Sequence, residues 1–116
     1  LIGKLGEQLV ACQMIRNGYE IMETNYSVAK VGGIDIISQE EDILVFTDVK
    51  TQTDGNDGGD FRIQVDEKKS DRVLDAVQHY MDENELGSDF RFDIVEVVLG
   101  KGKPEIRILE EALSMY

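Results

Sequence analysis

The chain has 116 residues, 41% of them hydrophobic and 31% charged, with one Pro and no low-complexity run; that is one ordinary hydrophobic core, a single domain spanning 1–116, and not a disordered or fibrous chain. No apolar run approaches the ~20 residues that cross a bilayer and no secretory signal is visible, so no membrane association is expected. The formal net charge is −12, and a protein that grips nucleic acid by its phosphates usually presents a basic surface, so such a role here needs a local basic patch, a bound metal or a partner.

The first element is a helix. In "GKLGEQLVACQMIRNG" the residues Leu5, Leu9 and Cys12 form an apolar stripe at helical spacing, and Gly18 supplies a C-terminal stop. Cys12 is the single cysteine, which excludes an internal disulfide; on that stripe it is expected to pack as a small hydrophobe, in a reducing cytoplasm. A second, mostly apolar face runs Glu7, Val10, Ala11, Met14. A carboxylate there is unusual, and first-turn placement, where the helix dipole favours an acid, is the plain explanation. The sequence opens at Leu1 rather than Met, which leaves room for a preceding segment.

Strands follow. "YEIMETNYSV", "GGIDIIS" and "DILVFTDVKT" alternate as strands do, and the apolar run from Ile43 to Phe46 argues for a central strand covered on both faces. "QTDGNDGGD", residues 52–60, reads as a loop placed to fold over a substrate or to cross the interface of a homodimer; its acids serve equally as solubilising residues. "FRIQV" is a short strand candidate. "DEKKSDRVLDAVQHYMDENEL" is a second helix, burying Val73, Leu74, Val77, Tyr80 and Met81 and stopping at Gly87, with His79 on its outer face. "RFDIVEVVLG" and "EIRIL" are strands joined by the turn "KGKP". The order implies an α/β fold, a central mixed sheet flanked by helices.

Three charges sit inside the strand runs: Asp35, Asp48 and Lys50. Burying them is costly unless something compensates. Alternation puts Leu44, Phe46, Asp48 and Lys50 on one face. With Glu41 and Asp42 as a two-residue turn, Asp35 falls directly opposite Asp48, with Cβ atoms roughly 5 Å apart. Two carboxylates that close force a proton onto one of them, or hold a cation. Mg²⁺ or Mn²⁺ suits such oxygens, with Asp35, Asp48 and the Val49 carbonyl as the protein's share, Glu7 holding a water or a second metal, and Lys50 stabilising phosphate charge or orienting water. The alternative is an ordinary same-face ion pair between Asp48 and Lys50, worth about 0–1 kcal/mol.

In order and spacing, "GKLGEQLVA", "NGYEIMETNY", "GGIDIIS", "ILVFTDVKT", "DEKKSDRVLDAVQHYM" and "RFDIVEVV" resemble the bacterial YraN-type family. That family is similar to the archaeal Holliday-junction resolvases within the PD-(D/E)XK nuclease superfamily. The resemblance implies a restriction-endonuclease-like fold and a metal-dependent endonuclease acting on DNA phosphodiester bonds, with branched DNA as the substrate by analogy. It implies Asp35 and Asp48 as metal ligands, Lys50 as the catalytic lysine and Glu7 as the helix-borne acid. The chain departs from the family pattern in having Gly33 where Glu is usual before the Ile-Asp pair, Asp48 where Glu is usual, and a more acidic composition.

Lys68, Lys69 and Arg72 share an arc of the second helix and are candidate phosphate contacts, as is Arg62; the opposing reading is a solvated flank balanced by Asp66, Glu67 and Asp71. Two other functions stay open: a nuclease-fold module that has lost catalysis and serves as an interaction partner, and an acidic inhibitor or nucleic-acid mimic for which the negative charge is the working feature.

Overall fold

Among the described residues, two helices and five strands form where the periodicity of the sequence places them. The computed structural model describes residues 2–53, 67–84 and 89–110, with the backbone alone at 67–71. The elements are α1 (Ile2–Arg16), β1 (Glu20–Val28), β2 (Gly32–Glu40), β3 (Ile43–Thr53), α2 (Glu67–Glu83), β4 (Phe90–Leu99) and β5 (Glu105–Leu109). The strands make one sheet in the order β1-β2-β3-β4-β5. β3 and β4 run parallel and the other neighbours antiparallel. A parallel pair needs a crossover longer than a hairpin, and α2 lies in that connection.

The central position of β3 follows from its composition. On one side Leu44 and Phe46 join Ile37, Phe92 and Ile94 under Val73, Ala76, Val77, Tyr80 and Met81 of α2. Phe46 meets Tyr80 and Phe90 edge-on, at centroid distances of 5.8 and 5.7 Å. On the other side Ile36, Val95 and Val97 pack with Val10 and Met14 of α1, and Val49 lies against them. The most buried charged side chain among the described residues is Asp93, 4% exposed. Two nitrogens of Arg91 hold its carboxylate at 2.9 Å each, and a guanidinium N–H reaches the Tyr19 hydroxyl. Among the described residues no helix is long and apolar enough to cross a membrane.

α1 ends as Gly18 predicts. Gly18 takes φ +90°, its N–H donates to the Ile15 carbonyl, and the Tyr19 N–H donates to the Met14 carbonyl at 2.9 Å. These two bonds satisfy last-turn carbonyls in the Schellman arrangement. The face that α1 buries is not the expected one, however. Gly6, Val10 and Met14 go inside, whereas Leu5 is 46% exposed and Cys12 is also exposed. Both stripes have helical spacing. The winning stripe carries Gly6, where an added Cβ would lie 1.8 Å from Thr51 Oγ1 and 2.9 Å from Thr51 Cβ. Only a residue without a side chain lets the helix come this near to β3. The first-turn explanation of Glu7 also falls, since the first turn of α1 holds no acid.

The loop expected from residue 52 starts later. Gln52 and Thr53 continue β3, pairing with Val98 and Leu99. The rest of that loop and the candidate strand at 61–65 lie outside the described residues, as do Gly87 and Arg62.

Replacing Gly6 by Ala should therefore overpack the α1–β3 contact and destabilise the protein by about 1–3 kcal/mol, read as a lower urea midpoint. Adding Thr51→Ala should recover part of that loss, because the nearest obstructing atom is gone; strictly additive effects would show that the two positions do not touch.

Candidate functional site

The turn between β2 and β3 sets the geometry of the site. Glu41 occupies its first position with φ 54°, and the ladder runs from Glu40↔Ile43 to Ile36↔Thr47, which is the register expected from a two-residue turn. The next positions along are Asp35 and Asp48. Here the ladder stops, and the Val49 N–H donates to Asp35 Oδ2 at 2.7 Å. A side chain has taken the place of a backbone rung. In an extended strand the N–H and C=O of one residue face the same neighbour, so the Val49 carbonyl lies along the same opened edge as the Asp35 carboxylate.

Asp35 and Asp48 come together there. The Asp35 carboxyl is pushed up from 3.8 to about 7, first by burial, then by its hydrogen bond with Asp48 and by the negative charges of Asp48 and Glu7; the Val49 N–H pulls the other way. Lys50 Nζ lies 3.6 Å from Asp48 Oδ2, with its side chain 40% exposed against 22% for Asp48. The ammonium thus spans the gap from the acid pair to solvent. Glu7 arrives from α1, half-buried in a groove that it shares with Gln8, Thr24 and Ile36. Asp35, Asp48, Val49 and Lys50 are brought together where the β2–β3 hairpin opens; Glu7, from α1, adds its charge to Asp35 but does not join the pair as a third converging carboxylate.

The donors suit a hard cation of modest protein coordination. Among the described residues no three His, Cys, Asp or Glu side chains converge as a metal cage, so the arrangement is unlike a structural zinc site. Two carboxylates and a carbonyl, with remaining positions left to water and substrate phosphate, match the habit of Mg²⁺.

The other candidates stand apart. Arg72 is exposed on α2 beside Gly32, not beside the acid pair. Lys68 and Lys69 belong to α2, with side chains outside the described residues. His79 is exposed, as expected. Gly33 has a local reason of its own: a Cβ there would approach the Tyr26 carbonyl oxygen to 2.9 Å, so β1 crosses β2 too closely for a larger residue without a shift. One neighbour escaped the sequence reading. Glu96, 9% exposed, is in register with Lys50 on β4 and accepts from Gln52 Nε2 at 3.1 Å and Arg107 Nη1 at 3.5 Å. The clue was available, since Glu96 interrupts the apolar run "DIVEVV" as Asp35 interrupts "GGIDIIS".

A five-stranded mixed sheet with helices on its faces, and an acid pair beside a lysine at the open edge of the central strand, places the chain in the restriction-endonuclease-like α/β class. Comparison with known proteins identifies the family: residues 6–97 match "Uncharacterised protein family UPF0102", which is the YraN family, and the chain belongs to it. Its relatives include UPF0102 proteins of Alkaliphilus oremlandii, 37% identical over 96% of each chain, and of Alkaliphilus metalliredigens, 37% identical over 88% of this chain and 89% of the relative. The UPF0102 protein FP2501 of Flavobacterium psychrophilum is 37% identical over 99% of this chain and 95% of its own length.

The raised Asp35 carboxyl has a measurable consequence in metal-free buffer. Between pH 4 and about 7 the folded chain keeps a proton that the unfolded chain has lost, so stability falls as pH rises through that window. Asp35→Asn should flatten the fall, because an amide offers the Val49 N–H a carbonyl and Asp48 an N–H without ionising. Urea midpoints in EDTA at pH 5 and pH 8 check this; parallel losses in parent and variant would remove Asp35 as the cause.

Proposed function

We propose that this protein is a metal-dependent endonuclease that hydrolyses phosphodiester bonds in DNA, branched DNA included, within a reducing cytoplasm. The observation that carries the reading is the convergence of Asp35 and Asp48 with Lys50 3.6 Å from Asp48. Asp35, Asp48 and the Val49 carbonyl would hold Mg²⁺ or Mn²⁺. Such a cation, when bound, supplies Lewis-acid stabilisation of phosphoryl charge and a more acidic water.

The rest falls to the side chains. Lys50 sets an ammonium against the phosphate as phosphorus becomes five-coordinate, where a positioned donor is worth most. It also lies where it can orient the attacking water, whose oxygen bonds to phosphorus in line as the ester P–O bond breaks. Glu7, on the opposite element, accepts a hydrogen bond from water in the site. The products are a phosphomonoester and an alcohol, and the proton that water gives up balances the one that the leaving oxygen takes.

Asp48→Asn should abolish metal-dependent cleavage of a labelled four-way junction and of duplex DNA, with the circular dichroism spectrum unchanged; cleavage at the parent rate would refute the assigned role. Lys50→Met should lower the rate by roughly 10²–10³, the usual loss for one positioned donor, while calorimetric Mn²⁺ binding persists. That binding should tighten from pH 6 to pH 8 as the Asp35 proton is displaced. If Mn²⁺ binds no more tightly to the parent than to the Asp48→Asn variant, the chain is a nuclease-fold module without catalysis.

A further inference from the structure

The acidic composition leaves a question that the acid pair alone does not answer: where on this surface can a phosphate backbone rest? The link between β1 and β2 offers a place. Lys30, at φ 65°, and Arg72 of α2 line one open concavity with Ser27, Val31 and Gly32, and none of the residues lining it is acidic. Both cations are exposed, and among the described residues neither forms an ion pair. Arg91, Arg107 and Lys50, by contrast, are engaged by carboxylates. In a chain with 24 acids, this hollow is lined by two cations and no acid.

The backbone keeps this hollow open. Gly32 takes φ +142°, and a Cβ built on it would lie 3.5 Å from Arg72 Cβ. α2 therefore packs, at Arg72, against a residue that has no side chain. Gly32 also begins the strand that delivers Asp35. The three residue steps from Gly32 to Asp35 span roughly 10 Å of extended chain, about the rise of three nucleotides at 3.4 Å each.

We infer that Lys30 and Arg72 form a seat for a phosphate of the bound DNA strand, a few nucleotides from the phosphate held at Asp35 and Asp48. This rests on the nuclease reading for the identity of the strand. The seat supplies what the net charge denies: a positive contact at a fixed distance from the acids.

The test is equilibrium binding of fluorescein-labelled single-stranded, duplex and four-way-junction DNA, followed by anisotropy across a salt series. Every protein carries Asp48→Asn, so the probe is not consumed. Lys30→Asn with Arg72→Gln is the informative pair, since Asn tolerates positive φ. Affinity should fall by about tenfold, and the slope of log K against log salt should shrink by roughly 1.8 on duplex, about 0.9 for each phosphate no longer neutralised. Lys101→Gln with Lys103→Gln removes the same charge from the β4–β5 link and should leave the slope nearly unchanged. An unaltered slope in the first pair, equal reductions in both pairs, or no binding by the parent would overturn the seat. Cleavage by the chain with Asp48 restored is scored separately: if cleavage is absent while the slope change persists, the catalytic reading fails and the seat stands.

Discussion

A single hydrogen bond organises this molecule's chemistry: the Val49 N–H donates to the Asp35 carboxylate at 2.7 Å, where the β2–β3 ladder would otherwise continue. Because a side chain occupies that position, the two strands part, and an edge of β3 becomes available in the middle of a sheet. Interior strands ordinarily spend their N–H and C=O groups on each other. Here the central strand keeps polar groups in reserve, and it does so beside Asp48 and Lys50. The arrangement also explains why an aspartate is suited to position 35. Its short side chain reaches a backbone amide across the gap, which holds the carboxyl still instead of letting it swing to solvent.

The energetic tension lies in the same place. Burial, Asp48 and Glu7 all raise Asp35, and the Val49 amide only partly opposes them. A structural ion pair would have been built with a cation facing the buried acid. Instead the lysine neighbours Asp48 at the better-exposed end, and the acids face each other. Charge arranged in this way is unfavourable in the isolated chain and relieved by a proton or a cation. The Arg91–Asp93 pair shows the contrast. There a buried carboxylate is gripped twice by one guanidinium, the strained component is absent, and the pair fixes β4 to the turn after α1 through Tyr19.

Close approach of α1 is the second requirement of the site. Glu7 acts on Asp35 only because Gly6 lets the helix settle against Thr51. The residue that touches the strand and the residue whose charge raises Asp35 are adjacent, so the packing of the helix and the position of its carboxylate cannot vary independently. The exposed stripe of Leu5 and Cys12 is what this choice leaves outside.

Much of the fold was legible in local pattern. Alternation marked the strands, the run Ile43–Phe46 marked the strand buried on both faces, and Gly18 marked the end of α1, since each reflects a constraint acting within a few residues. The register that sets Asp35 opposite Asp48 was legible too, because a two-residue turn leaves it no freedom. Which stripe of α1 would be buried was not, as both have the same period and only contacts with distant strands, Thr51 45 residues away among them, distinguish them. The same holds for Glu96 beside Lys50 and for Arg72 over Gly32: these meetings depend on the parallel pairing of β3 with β4 and on the seating of α2. The sequence by itself determined the elements, the hairpin register and the chemical types at the site. Tertiary structure decided which helix face carries Glu7 inward and which cations line the hollow beside Gly32, because those outcomes depend on distances between segments that no local periodicity encodes.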